Sequence, residues 1–370
     1  MFQGIDHIEF YVGNAYATSY FFIHALGFRP LGQAGLETGR RDRQSFAVAQ
    51  GDIRLVFTNA LDPDGPVAEH ARLHGDGIRD VALAVDDAAR AFARAVELGA
   101  EPVARPETMA SGGGGGGVRR AIVKTFGDTV HTLIERGGAA GGSGMSVDSA
   151  DGFLPGFRTW SAPGVEDGSE DASLAAIDHV ACCVEGGTLD RWVRFYQEAF
   201  GFREAHHEDI VTDHSAMNSK VVESENGAVK LPLMEPAHGH SKSQIDEYLD
   251  YHHGPGAQHL ALRSSDIAKT VRFLRRGGVE FLETPREYYE AIPARLGDVG
   301  EDLDALCDLN VLVDRDRWGV LLQVFTKPVT GRPTGFLEIV QRKGARGFGG
   351  GNVRALFEAV ERQQAARGNL

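Results

Sequence analysis

The sequence predicts an α+β protein of two tandem domains, each made of two βαβββ-like modules. Three observations predict it. The chain carries an internal duplication. Within each copy an alternating strand, a helix and several strands follow in order, twice. Its 370 residues are too many for one core, and 42% hydrophobic composition is enough to fill two.

The first copy opens with GIDHIEFYVGNAYATSYFFIHALGF, Gly4 to Phe28, an alternating strand that runs into a helix. The same order returns as AIDHVACCVEGGTLDRWVRFYQEAFGF, Ala176 to Phe202. The second module of each copy begins at HGDGIRDVALAVDD, His74 to Asp87, and at HGPGAQHLALRSSD, His253 to Asp266. An amphipathic helix follows each and ends in a Gly-bounded turn, LGAEPV against GGVEFL. The glycine run Gly112 to Gly117 reads as a slack surface loop: without a following Lys-Ser/Thr or a helix it makes no phosphate cradle. The Gly-, Ser- and Asp-rich stretch from Gly137 to about Ser173 reads as a linker. The expected division is a first domain at 1–140, a linker at 141–174, a second domain at 175–348 and a C-terminal helix at 349–370. In the last segment, GFGGGNVRALFEAVERQQAARG reads as a Gly-rich hinge, an Asn352 cap and a helix with Val353, Leu356, Phe357 and Val360 in one apolar stripe. This helix is expected to close over the site.

The net charge of −14 and the lack of a basic stripe exclude nucleic acid as a partner. MFQGIDHIEF enters a strand at once, with neither a charged nor an apolar leader, and no apolar stretch approaches membrane length. A soluble, cytoplasmic protein is expected. Cys182, Cys183 and Cys307 are too few and wrongly spaced for a disulfide framework and read as thiols in a reducing compartment, the adjacent pair pointing to opposite faces of its strand.

Three residues carry the chemistry: His179 in AIDHVACCVE, His259 in GAQHLALRS and Glu338 in TGFLEIVQR. Two histidines and a carboxylate make the facial triad that holds Fe(II) on one side and leaves positions open for a chelating substrate and O2. Singly, each is more often a hydrogen-bonded structural group. Their ligand atoms are expected to converge within about 5 Å of one another. His179 has a counterpart in His7, but His259 aligns with Asp80, and the strand of Glu338 aligns with HTLIERG, where His131 or Thr132 stands near that place. The expectation is therefore one metal, in the second half, with the first copy kept for packing and dimer contacts. A second metal at His7, Asp80 and His131 is the alternative.

At these residues, and at SKVV from Ser219, KSQIDEYLDY from Lys242, GPGAQHLAL, FLETPREYYEAI from Phe281, LLQVFTKPVTGRPT from Leu321 and EIVQRKGARGFGGGNVRALFEAVERQQAARGNL to the end, the chain resembles the family of 4-hydroxyphenylpyruvate dioxygenase and 4-hydroxymandelate synthase. The resemblance covers nearly the whole chain, densely in the second half. It implies the vicinal-oxygen-chelate fold of paired βαβββ modules forming open β-barrels. It also implies His179, His259 and Glu338 as iron ligands, and a homo-oligomer, dimer or tetramer. A 2-oxo acid and O2 would be the small-molecule partners, with CO2 released from the substrate itself and no external 2-oxoglutarate. Ser219, Gln244, Gln258 and Gln323 would line the pocket with donors and acceptors, and Phe325 would stack on the ring, with Pro232, Met234, Phe348 and Val353 completing the wall.

Two departures matter. Val353 follows Asn352 where the dioxygenases carry a Phe, and Met234 in KLPLMEPAH stands where they carry an Asn; the synthases are apolar at both places. Pro232 and the RGNL terminus match the dioxygenases. The expected reaction is benzylic hydroxylation of 4-hydroxyphenylpyruvate to 4-hydroxymandelate, with ring hydroxylation to homogentisate as the alternative. Another 2-oxo acid, or a non-catalytic small-molecule binder, stands behind them.

Overall fold

The structure, a computed structural model, describes residues 1–109, 117–137, 153–164, 172–212 and 214–368. Gly112 to Gly116 of the expected loop, and 141–152 and 165–171 of the expected linker, lie outside the described residues.

The first half runs β1 (Phe2–Tyr11), α1 (Ala15–Leu26), β2 (Arg29–Ala34), β3 (Arg43–Gln50), β4 (Ile53–Ala60), α2 (Pro66–His74), β5 (Gly77–Val85), α3 (Ala88–Glu97), β6 (Pro102–Met109), β7 (Val118–Lys124) and β8 (Val130–Arg136). The second half repeats this as β9 (Leu174–Cys183), α4 (Leu189–Phe200), β10 (Arg203–Val211), β11 (Ala216–Glu223), β12 (Lys230–Ala237), α5 (Gln244–His252), β13 (Gly256–Ser264) and α6 (Ile267–Arg276). Three short helices follow, α7 (Arg286–Glu290), α8 (Ile292–Leu296) and α9 (Leu303–Asp308), before β14 (Leu312–Asp316), β15 (Gly319–Phe325), β16 (Phe336–Lys343) and α10 (Gly350–Ala366).

The duplication repeats the local signals as well as the order. Asp87 and Asp266 cap α3 and α6, their side chains accepting from the Arg90 and Lys269 amides. Gly27 and Gly201 end α1 and α4 at φ 75° and 69°, the left-handed conformation that a Cβ disfavours, so ALGF and EAFGF both turn their chains into the next strand. Strand order is the same in both halves: β2-β3-β4-β1-β5-β8-β7-β6 and β10-β11-β12-β9-β13-β16-β15-β14. Each half is one open sheet of two paired modules, the arrangement the resemblance implies, since among the described residues its two end strands do not pair. The halves meet through inner strands, where β5 pairs antiparallel with β13 at Ile78 and Ala257.

The main core runs through both halves, from Ile8, Phe57 and Leu83 to Tyr196, Leu262 and Ile339. Cys182 faces this core and Cys183 the smaller cluster of Met234, Tyr248 and Phe357, on opposite faces of β9 as alternation requires. Part of the segment between the halves is packed: Phe153 is buried against Leu31, Ala47 and Val56, and Trp160 meets Phe46 at 4.8 Å between ring centroids. Among the described residues no helix is long and apolar enough to cross a membrane.

Candidate active site

Strand register builds the centre. On β13, Ala261 pairs with His179 of β9 on one side and with Glu338 of β16 on the other. His259 lies two residues from Ala261, and residues two apart share a face, so three neighbouring strands present all three side chains to one side of the sheet. Their ligand atoms fall within 4.8 Å of one another. His179 Nε2 is 3.1 Å and His259 Nε2 3.5 Å from the same Glu338 oxygen, Oε2.

The surrounding bonds leave these atoms free for a cation. His179 Nδ1 donates to Asp178 at 3.0 Å, and Arg342 clamps Asp178 through two bonds of 2.7 and 2.8 Å. His259 Nδ1 donates to Gln258 Oε1 at 3.3 Å, and Gln258 Nε2 donates to Gln244 Oε1 at 3.3 Å. Both imidazoles therefore carry a proton on Nδ1 and turn Nε2 inward, which in the neutral ring is the lone pair a metal requires. Glu338 Oε1 accepts from Gln323 at 2.9 Å, which reserves Oε2 for the centre. Gln323 accepts from Asn352 at 2.7 Å, and Asn352 from the Tyr288 hydroxyl at 2.6 Å, so α10 and α7 are tied to the carboxylate.

Burial opposes charge on His179, yet Glu338 and Asp178 raise its pKa to about 9; burial pushes His259 down to about 3. The carboxylate, held below its usual range against burial by the two histidines and Gln323, draws one proton between them. That same spot is where a divalent cation would sit, and the donor set fits one.

Above the centre lies a cavity lined by His179, His259 and Glu338 and by Ser219, Pro232, Met234, Gln244, Gln258, Gln323, Phe325, Phe348 and Val353. The three expected ligands and the nine expected wall residues thus share one cavity. Phe348 lies edge-on to His179 at 5.2 Å between centroids, and Phe336, at 4.8 Å, stacks on His259. The Ser219 hydroxyl donates to the Glu208 carbonyl at 2.9 Å, so towards the cavity it is an acceptor. Leu356, from the apolar stripe expected on the closing helix, also lines the cavity, as do His206, Glu208, Met217 and Val221, which escaped the sequence reading. In REAHHEDIV the inward set His206, Glu208 and Ile210 obeys strand alternation, but two of its members are polar, and only that period could have flagged them.

Asn352 does not cap α10. The cap is Gly349, at φ 72°, and Asn352 sits fully buried in the first turn, where its amide bridges Gln323 and Tyr288. Nor does the first half gather His7, Asp80 and His131. His131 is spent on the Val81 carbonyl at 2.7 Å and the Tyr196 hydroxyl at 2.9 Å, while Asp80 takes the Thr132 amide and hydroxyl. Burial holds Asp80 up at about 6. The clamp persists without the triad: His7 Nδ1 meets Asp6 at 2.8 Å and Arg136 grips Asp6 at 2.7 and 2.8 Å.

Residues 4–135 and 176–323 match the family described as Glyoxalase/Bleomycin resistance protein/Dioxygenase superfamily. The chain is similar to 4-hydroxyphenylpyruvate dioxygenase of Yarrowia lipolytica, 42% identical over 100% of this chain and 94% of that protein. It is equally similar to 4-hydroxyphenylpyruvate dioxygenase of Danio rerio, 42% identical over 100% and 92% of the two chains. Its structure is similar to that of a triple mutant of 4-hydroxymandelate synthase from Streptomyces coelicolor, with a TM-score of 0.85 and 39% identity over 98% of this chain and 100% of that one.

Proposed function

From the premise that this chain belongs to the Glyoxalase/Bleomycin resistance protein/Dioxygenase superfamily, and within it to the metal-dependent dioxygenases related to 4-hydroxyphenylpyruvate dioxygenase, we propose that it converts 4-hydroxyphenylpyruvate and O2 into 4-hydroxymandelate and CO2 with Fe(II) held by His179, His259 and Glu338. Iron in that site would bind the 2-oxo acid and O2 and supply the redox chemistry that removes CO2 and hydroxylates the rest of the molecule.

The chain's own residues hold and aim the substrate. The triad occupies one face, with Glu338 restricted to a single oxygen by Gln323, and the cavity on the other face takes the aromatic part. The linked amides Gln244 and Gln258 and the acceptor Ser219 offer partners to polar substituents. Phe325 and Phe348 supply aromatic surface. The C-terminal helix α10 contributes Val353 and Leu356 to the wall and is tied down by its far end, where Glu361 accepts from the Thr212 hydroxyl at 2.9 Å and Arg367 pairs with Glu247 at 2.5 Å. We assign it the role of a lid that keeps water from the reacting centre.

The observation that carries the benzylic product is the wall itself: Met234 and Val353 line the same cavity as Phe325, and where the dioxygenases the chain resembles carry an Asn and a Phe they would leave a bound ring with fewer aromatic and amide contacts. Pro232, in the same wall, favours the second reading, homogentisate formation. Turnover of purified protein with Fe(II), ascorbate and 4-hydroxyphenylpyruvate, with products separated and identified by mass spectrometry, tests both. 4-Hydroxymandelate as main product supports the first; homogentisate alone replaces it with the second, and no oxidation of this substrate removes both.

A further inference from the structure

A second set of donors lies away from the catalytic cavity, at the seam of the two halves. His70 and His74, four residues apart on α2, share one helical face and are 4% and 3% exposed. With Asp128, in the turn between β7 and β8, they place one ligand atom each within 4.8 Å of one another.

Proton bookkeeping shows what this arrangement lacks. His74 Nδ1 lies 2.5 Å from the His252 carbonyl, an acceptor only, so Nδ1 carries a hydrogen. In the neutral ring Nε2 is then a bare lone pair, yet it lies 3.0 Å from a carboxylate oxygen of Asp128. Two acceptors at that distance need a cation between them. A proton on His74 would satisfy this pair but would do nothing for His70, neither of whose buried ring nitrogens has a hydrogen-bond partner among the described residues. A metal ion uses all three groups at once.

We propose that His70, His74 and Asp128 form a second, structural site for a divalent metal of the zinc class. Two imidazoles and a carboxylate suit that ion, and with Asp128 44% exposed at the rim, solvent can fill the fourth tetrahedral position. The outer bond of His74 then acts as its support: His252, which receives it, ends α5, the helix whose first residue, Gln244, lines the catalytic cavity. His252 also stacks on His74 at 4.3 Å between centroids. Metal in this site would fix α2 to the β7–β8 turn and brace the first half against α5 of the second.

The site is independent of the catalytic reading, and the test keeps it so. The full-length His259→Ala protein, with the catalytic triad broken, is incubated with zinc sulfate and dialysed, and its zinc is measured by mass spectrometry alongside circular dichroism and thermal unfolding. The expected result is about one zinc per chain, at roughly 2.0–2.2 Å from its ligands in an anomalous-scattering map, with a rise in Tm. Adding His70→Gln or Asp128→Asn should remove both the zinc and the rise. No retained zinc in His259→Ala, or zinc unaffected by both additions, overturns the proposal. Asp128 stands at the rim, so the Asp128→Asn arm decides alone if His70→Gln fails to fold.

Discussion

His259 stands on the central strand of the second half, its Nε2 aimed at Glu338 and its ring braced by Phe336. In a three-ligand site no remaining protein donor can replace a missing one. His259→Ala is therefore expected to abolish turnover and retention of iron, read by metal analysis after desalting, while circular dichroism stays that of the parent. The deleted ring leaves a space beside Phe336 and Phe325, so a loss of stability of about 2 kcal/mol accompanies it. Retained iron at the parental level would sink the ligand assignment. At the cavity wall the relevant energies are smaller but act on a ratio. An aromatic contact is worth about 0.5–1.5 kcal/mol, and about 1.4 kcal/mol changes a partition between competing barriers tenfold. Val353→Phe is thus expected to raise the share of homogentisate relative to 4-hydroxymandelate by up to about tenfold. Met234→Asn should add non-additively, because both residues line one cavity. Product ratios from one chromatogram check this, and an unchanged ratio in the double variant removes the wall from the account of product choice.

At the scale of elements, the duplicated modules were legible because each signal is local: alternation for β1, β5, β9 and β13, an Asp cap for α3 and α6, a left-handed glycine after α1 and α4. The triad was legible because its donor types sit on strands the duplication marks out, where the first copy keeps only His7 and carries other residues opposite His259 and Glu338. Other features were not local. The α7–α9 run consists of helices of five or six residues, too short for propensity to announce and set by tertiary packing. The start of α10 was misplaced because Asn352 is a good capping type in the right neighbourhood, while the partners that draw it inward, Gln323 and Tyr288, are 29 and 64 residues away. His206 and Glu208 escaped for a related reason: β10 has little apolar alternation to show which face turns inward. The helix also carries a prediction. Its Asn352 reaches Glu338 through Gln323, and its Val353 and Leu356 close the cavity. Ending the chain before Gly349 should therefore separate O2 consumption from product formation or stop both, as followed by an oxygen electrode against product yield. A truncated chain with parental yield per O2 would show that the lid is not needed.

Across the whole molecule, the clamp Asp6–His7–Arg136 repeats Asp178–His179–Arg342 in a half that lacks the His-His-Glu set. A clamp retained in a half that has no such metal set to support is assigned to holding the fold. Asp6 is 3% and Arg136 13% exposed at the side chain, and removing one partner of a buried pair leaves the other uncompensated. Arg136→Met is expected to cost about 3–5 kcal/mol at pH 7, measured by urea unfolding. The sign of its pH dependence follows from the direction of the Asp6 shift. Burial alone would raise its pKa, but His7 and Arg136 lower it well below the ordinary carboxylate value. The pair's contribution is thus complete above the unfolded pKa of about 3.9 and fades as pH falls towards the depressed folded value. In Arg136→Met the carboxyl loses that cation, its pKa rises, and a proton takes the place of the guanidinium as the solution is acidified. The gap in stability between parent and variant should therefore be widest near neutrality and narrow steadily below about pH 5. A gap that stays constant as pH falls well below the unfolded pKa of about 3.9 would assign the role of Arg136 to packing and its bond to the Phe153 carbonyl rather than to charge.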